Sequence, residues 1–507
     1  MTLQISRRMM LAGLFSSAAL PAARPALADG PLDSLRPRHR PEGLMERIEN
    51  GGYPTINMLL ERNKISGHSA FALASLEDGH ILEGHEAHQP LPPASVAKTL
   101  TTLYALDTLG PDYRFTTRLL GTGPLEGGKL MGDLILAGGG DPDFDTDNLG
   151  DLAGGLKAAG VTEVTGNFYY YGHSLPEARL IDIEQPPHVA YNPGISGLNL
   201  NYNRVHFEWK KVAGKWALTM DARAGKYRPD VAIASMTLAD RAGPVFTYAD
   251  RNDRDEWSVA ESALGSRDGA RWLPVRRPAA YTAEVFQTLA RSYGIVLDTP
   301  KEMRDLPADA FQLASYQSRP LHAVIKAMLY YSTNLTAEII GLTASVARGV
   351  APGSLRDSAQ AMSQWAQQQY GLKEVSMVDH SGLEDDSRIS TADLVKMLAS
   401  RQAQDSLRPL LKDINLRKGG KVIDANRPMS VHAKTGTLNF VSGLAGYVVG
   451  PDGTDMAFAI LSGDVEIRKT LPMEQRERPP GGRTWLARAR NLQQDLIERW
   501  GGVYGTG

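Results

Sequence analysis

Three short residue sets in this chain could together run one reaction. Ser95-Val96-Ala97-Lys98 sets a hydroxyl and an amine three residues apart. Ser332-Thr333-Asn334 offers a second hydroxyl beside an amide, and Lys434-Thr435-Gly436 adds another amine beside a glycine. A serine hydroxyl is a poor nucleophile until a neighbour takes its proton. A lysine can take it only when neutral, and burial or a nearby second cation pushes its pKa toward that state. Lys98 is the candidate base and Lys434 the candidate second cation. The chemistry such a set supports is acyl transfer through a serine ester. Free N–H groups at a helix start and on a strand would stabilise the oxyanion.

Each set alone is a weak signal. At ordinary residue frequencies S-x-x-K or S-x-N arises by chance about once in a chain this long, and K-T-G in roughly one such chain in ten. Their weight comes from the elements that must carry them. A helix is expected from Ser95 to Leu109, ended by Gly110-Pro111, with Leu100, Leu103 and Leu106 among its buried positions. Ser95 then sits in the first turn, where backbone N–H groups are free, and shares a face with Lys98 at i and i+3. Leu321–Thr343 is the strongest helical pattern, and Ser332 and Asn334 lie within it or in a break in it. Lys434-Thr435-Gly436 introduces an apolar, strand-like run in which Gly436 would let a substrate backbone come close.

Around these elements, His68–Glu77 and His80–Glu83 flank Asp78-Gly79 as a hairpin. Ser442–Gly450 and Asp455–Gly463 read as strands joined at Pro451-Asp452-Gly453. Thr484–Trp500 reads as an amphipathic helix with Trp485, Leu492 and Leu496 on one stripe. Residues 42–63 show patchy helical spacing broken by Gly51-Gly52 and Pro54. From about Leu119 to Leu306 the chain changes to short apolar runs and turn dipeptides, read as mostly strands. The expectation is one α/β (α+β) domain split by an insertion: residues 29–118 and 307–507 form the outer domain, and 119–306 a strand-rich inserted part.

The 507 residues carry a net charge of −2 with 22% charged side chains, which gives no basic surface for nucleic acid. The absence of cysteine excludes disulfides, thiolate metal sites and a cysteine nucleophile. Residues 1–28 read as a signal peptide, with Arg7-Arg8, an apolar run from Met9 to Leu20, and Ala26-Leu27-Ala28 before Asp29. Ser6-Arg7-Arg8-Met9-Met10-Leu11 is similar to a twin-arginine signal. No later run reaches the ~18 apolar residues of a membrane span, so the expected product is soluble, exported and periplasmic.

At this point the chain resembles a known family, the low-molecular-mass class C penicillin-binding proteins (peptidase family S13), which are D-alanyl-D-alanine carboxypeptidases and endopeptidases. The likeness rests on Pro93-Ala94-Ser95-Val96-Ala97-Lys98, Leu109-Gly110-Pro111-Asp112-Tyr113-Arg114-Phe115, and Gly132-Asp133-Leu134 leading to Gly138-Gly139-Gly140-Asp141-Pro142. It continues through Ser332-Thr333-Asn334-Leu335, Ala337-Glu338, Asp379-His380-Ser381-Gly382-Leu383, Lys434-Thr435-Gly436-Thr437-Leu438 and Leu444-Ala445-Gly446-Tyr447. The resemblance implies a transpeptidase-like domain of the penicillin-binding-protein and serine β-lactamase type, interrupted by extra domains. It implies that Ser95 forms the acyl-enzyme, Lys98 is its base, Ser332 relays a proton and Asn334 holds the substrate amide. Lys434 would supply positive potential, with Thr435, Gly436 and Thr437 lining the substrate and the N–H groups of Ser95 and Thr437 forming the oxyanion hole. Peptidoglycan D-Ala-D-Ala peptides are the implied substrates and β-lactams the implied covalent inhibitors, with no metal and no cofactor. The sequence departs from the family at Thr333, where Asp is usual, and at Tyr331, where Lys is common. It also lacks an Asp-rich, Trp-containing stretch near Tyr169–Val189, so no residue is assigned to a diaminopimelate side chain. Two alternatives stay open: a β-lactamase or esterase on the same fold, and a non-catalytic wall-binding protein.

Other patterns are discounted. Gly123–Lys129 imitates a phosphate loop, but Leu130 stands where Ser or Thr is needed, so a hairpin turn is expected. Asp141, Asp143, Asp145 and Asp147 imitate a calcium loop, but Thr146 and Leu152 occupy its glycine and glutamate positions. Asp379-His380 could belong to a Ser–His–Asp triad only if adjacent residues aimed at one centre, which is rare.

Overall fold

The computed structural model describes residues 52–418, 421–422 and 429–505. The expected signal segment, the Pro/Arg-rich stretch 29–41 and the start of the 42–63 pattern lie outside these residues.

A six-stranded sheet organises the molecule. Its order is Lys412–Asp413, Ser430–Leu438, Val441–Val449, Asp455–Gly463, His68–Ser75, Ile81–His85. Every neighbouring pair is antiparallel. Strands from the two ends of the chain therefore meet at one seam, where His68 faces Gly463 and Ser75 faces Met456. Alternation along the strands sorts the side chains by size. Ala70, Ala72, Ala74, Ala457 and Ala459 face a helical layer that includes Leu100, Leu103 and Tyr104. Phe71, Leu73, Phe458 and Ile460 face the opposite side and pack on Leu492, Leu496 and Trp500 of the terminal helix Gly482–Val503. A period of two places these sets on opposite faces. The small residues let the helix Thr391–Ala399 come close to the sheet, where a larger residue would push it away.

All strands between residues 116 and 317 lie outside that sheet. The largest group has the order Lys301–Glu302, Phe168–Tyr171, Leu134–Ala137, Thr116–Gly121, Phe311–Gln317. The strands that leave and return, Thr116–Gly121 and Phe311–Gln317, pair with each other. Ser318 N–H then donates to Phe115 O at 2.9 Å. The excursion thus closes on itself and returns the chain to the place it left. A second core containing Phe168, Phe207, Trp257 and Phe286 holds it together.

The structure departs from the sequence reading in three ways. The expected helix Leu321–Thr343 is two helices, Leu321–Tyr331 and Asn334–Ala347. Ser332, with φ 61° and ψ 39°, breaks them in the left-handed region. The part read as mostly strands also contains the helices Thr146–Ala158 and Pro278–Ser292. Ser95 lies in a 3-10 turn, Ala94–Val96, just before the α-helix. The Asp78-Gly79 hairpin forms between His68–Ser75 and Ile81–His85, and Gly127-Gly128 turns a two-residue hairpin in place of the phosphate-loop mimic. No helix of the described residues is long and apolar enough to cross a membrane.

Candidate active site

The site sits where the Ala94–Val96 turn, the break at Ser332 and the strand Ser430–Leu438 converge. Pro93 and the positive φ of Ala94 (46°) turn the chain sharply into the helix and present Ser95 at its mouth. Two glycines let the flanking segments press against this turn. A Cβ on Gly436 would lie 2.7 Å from Pro93 O and 3.0 Å from Ser95 N. Gly382 has φ +71°, and a Cβ there would overlap the Ala94 carbonyl oxygen. Both positions require the smallest residue because backbone passes against backbone.

Lys98, in the first turn of the helix and three residues after Ser95, is fully buried. Its Nζ lies 2.9 Å from Ser95 Oγ, 2.8 Å from Asn334 Oδ1 and 2.7 Å from the Ser381 carbonyl oxygen. Three oxygens at this range fix the amine in place. Burial lowers its pKa to about 8, against the opposing pull of Asp379 and Glu338. An amine in that range is partly neutral near pH 7 and can present its lone pair to a hydroxyl.

Lys434 is 1% exposed, and its Nζ donates to Ser332 Oγ at 2.9 Å and to its neighbour's carbonyl, Thr435 O, at 2.7 Å. Burial first, then the positive charges of Lys98 and Lys412, hold its pKa well below the ordinary lysine range. The expected repulsion between the two amines is therefore expressed at Lys434. At Lys98 burial dominates.

The three sequence motifs thus meet in one place: Ser95 and Lys98, Ser332 and Asn334, Lys434. Ser95, Ser332, Asn334, Thr435 and Thr437 line a single cavity of about 370 Å3. Gly436 lies behind it against the Ser95 turn. The arrangement can generate an alkoxide-like nucleophile at Ser95 and hold a second hydroxyl and a second amine beside a bound ester or amide.

Several residues that complete the site were given no role in it from sequence. Tyr191, from the excursion, accepts the Asn334 Nδ2 hydrogen at its carbonyl, at 2.9 Å. That bond orients the amide so that its oxygen faces Lys98. Gln185, Asn439, Arg468 and Arg476 line the same cavity. Beneath it, Glu338 accepts N–H bonds from His380 (3.0 Å) and Ser381 (2.9 Å). Asp379 accepts N–H bonds from Gly382, Leu383 and Glu384 at 3.0, 2.7 and 3.0 Å. These buried carboxyls shape the loop whose Ser381 carbonyl holds Lys98. Burial, then the charge of Asp379, raises Glu338 to about 8. A lone acid on the otherwise apolar helix Asn334–Ala347 was a legible hint of this role; Tyr191 left no comparable trace.

His380 is not a catalytic base. It is fully buried, bonded through Nε2 to Ser358 Oγ at 2.8 Å, and burial lowers its pKa to about 3. The calcium-loop mimic also dissolves. Asp145 caps the helix Thr146–Ala158, Asp147 accepts from Lys226 and Tyr227 N–H groups, and Asp143 pairs with Arg319.

A serine hydroxyl 2.9 Å from a buried lysine amine, in a turn packed against a six-stranded antiparallel sheet, is the arrangement that defines the class of active-site serine acyl-transfer enzymes. The chain belongs to the D-Ala-D-Ala carboxypeptidase 3 (S13) family, whose model matches residues 55–478. A D-alanyl-D-alanine carboxypeptidase of Actinomadura sp. is 26% identical over 434 residues, covering 80% of each chain. D-alanyl-D-alanine carboxypeptidase DacB of Haemophilus influenzae is 23% identical over 428 residues, covering 80% of this chain and 89% of that one. The crystal structure of penicillin binding protein 4 (dacB) from Haemophilus influenzae shares the fold, with a TM-score of 0.69 and 20% identity over 88% of this chain and 99% of that one.

Proposed function

We propose that this protein hydrolyses the D-alanyl-D-alanine bond of peptidoglycan stem peptides through an acyl-enzyme on Ser95. Neutral Lys98 takes the Ser95 proton as Oγ attacks the penultimate D-alanine carbonyl. The developing oxyanion is held by the backbone N–H groups of Ser95 and Thr437. The C–N bond breaks, the proton taken by Lys98 is relayed through Ser332 to the leaving amine, which leaves Lys98 neutral again, and terminal D-alanine departs. Water then attacks the ester with Lys98 again as base, which restores Ser95 and releases the shortened peptide. Asn334 positions the substrate amide. Lys434, Thr435 and Thr437 receive the terminal carboxylate. The same steps on a cross-linked peptide would make the enzyme a D,D-endopeptidase. A β-lactam would acylate Ser95 as a substrate mimic. Export through the twin-arginine-like segment 1–28 would place the mature protein in the periplasm, where that wall lies.

The observation that carries this reading is the 2.9 Å approach of a fully buried lysine amine to Ser95 Oγ, with the second buried lysine bonded to Ser332. Purified protein is expected to release D-alanine from a soluble peptide ending in D-Ala-D-Ala, and Ser95→Ala to release none. Folded wild type that releases none refutes it. Separating the digestion products of intact peptidoglycan by mass distinguishes carboxypeptidase from endopeptidase action.

A further inference from the structure

A second feature opens beside the cleft. The helix Leu321–Tyr331 carries Lys326 and Tyr330 at i and i+4, so they share its outer face. Tyr330 and the next residue, Tyr331, are 58% and 73% exposed, and their rings meet edge to face at 4.8 Å. Lys412 Nζ stands 6.0 Å from the Tyr330 ring centre. Lys326, Tyr330, Arg408, Leu410, Lys412 and His432 line an open groove of about 730 Å3. Arg408 is neutralised by Asp455, and His432 meets Asp413 at 2.7 Å. Neither Lys326 nor Lys412 has an ion-pair partner among the described residues, and set against the one Asp413 carboxylate that also lines the groove they leave it net positive.

This groove adjoins the residues of the active site. Tyr331 directly precedes Ser332, and His432 lies two residues before Lys434 on the same face of the strand. Lys412 is near enough to Lys434 to depress its pKa. Two adjacent exposed tyrosines at the mouth of a catalytic cleft contribute little to the core. Tyrosine supplies large contact area at low entropic cost, which suits a binding surface.

We propose that this groove binds the sugar–peptide polymer of the wall, with pyranose C–H faces on Tyr330 and Tyr331 and stem-peptide carboxylates at Lys326 and Lys412. The scissile peptide, branching from the same strand, is then delivered past Tyr331 to Ser95. The inference rests on the reading of peptidoglycan as substrate, and it makes the intact polymer a better ligand than its soluble fragments.

The test uses full-length protein carrying Ser95→Ala, sedimented with isolated peptidoglycan sacculi, with Lys326→Gln or Tyr330→Ala added. Each added change is expected to weaken sedimentation, and the pair by about tenfold in Kd. Raised salt should weaken the parent protein's binding, because the lysine–carboxylate part is screened. Tyr330→Phe keeps the ring and should bind as the parent does. On active protein, the same changes should leave turnover of a soluble D-Ala-D-Ala peptide within about twofold. Unchanged sedimentation of the double variant overturns the proposal, as does an equal loss on the soluble peptide. Wild type that sediments with sacculi but releases no D-alanine from any peptide refutes the catalytic reading instead.

Discussion

Lys98 is held by three oxygens and depressed to about 8 chiefly by burial. If its neutral form is the base, acylation must rise with pH and level off above about 8, because the neutral fraction grows through that pKa. Penicillin labelling rates measured from pH 5 to 10 should show that rising limb. Lys98→Ala should remove labelling while the folded circular-dichroism spectrum persists, whereas near-normal labelling would exclude Lys98 as the base. Ser332 separates stability from function in a different way. It is a non-glycine residue at φ 61°, a conformation that costs roughly 1–2 kcal/mol with a Cβ present. Its hydroxyl accepts from Lys434. Ser332→Ala and Ser332→Gly both lose that hydroxyl, so both should lose turnover. Glycine should be the more stable of the two by about 1 kcal/mol in urea unfolding, since it relieves the strain. Equal stabilities would mean that Ser332 stores none.

At the scale of elements, the Ser95 turn is positioned by backbone contacts more than by side chains. Gly382 passes so close to the Ala94 carbonyl that any Cβ must displace one of them. Gly382→Ala should therefore destabilise by about 2–4 kcal/mol and disable acylation together, read by chemical unfolding and penicillin labelling. A change near zero in both would show that the loop can yield. The catalytic residue types were legible in sequence because the chemistry dictates them: a hydroxyl and an amine at helix spacing, an amine before a glycine on a strand. The Asp78-Gly79 hairpin was legible because its turn is local. A break near Ser332 was one of the two readings the sequence allowed, but its left-handed backbone was hidden, because no local residue signals it. The helix Thr146–Ala158 was hidden for the opposite reason. Gly150, Gly154 and Gly155 lower its intrinsic propensity, and Gly150 is needed where the Tyr227 ring packs against it.

At the scale of the whole molecule, the excursion helps to build the cleft that the rest of the chain supplies with the proposed nucleophile and base. Tyr191 O orients Asn334 across 143 residues of sequence, a contact that no periodicity could forecast. Residues 182–192 of the excursion, whose Gln185 and Tyr191 form a roof on the cavity, are clasped by the segment around Arg476 and Glu477. Arg476 bonds Glu184 at 2.7 Å, and Glu477 reaches His188 at 2.8 Å and Arg271 at 3.1 Å. Burial lowers the His188 pKa despite that partner, so near pH 7 we read the contact as a neutral imidazole N–H donating to the carboxylate. Burial would raise Glu477, but His188 and Arg271 outweigh it and hold the group below the usual carboxylate range. A depressed carboxylate pKa stabilises the fold above the unfolded value and loses that effect as pH falls through the folded one. The clasp should therefore loosen only in acid. Glu477→Ala should loosen it at neutral pH, raising amide exchange across residues 182–192 and raising KM for peptide about threefold or more. Ser95 should still react with a small penicillin. Unaltered exchange in that variant would show that the clasp does not hold the roof.

The central claim is that one hydroxyl, at Ser95, becomes the ester. Intact mass measurement of the protein after brief exposure to benzylpenicillin, followed by peptide mapping, tests it most directly. The account predicts a single adduct on the peptide containing Ser95, absent from Ser95→Ala and from Lys98→Ala. An adduct elsewhere, or a Ser95→Ala protein that still acquires the mass, would contradict it.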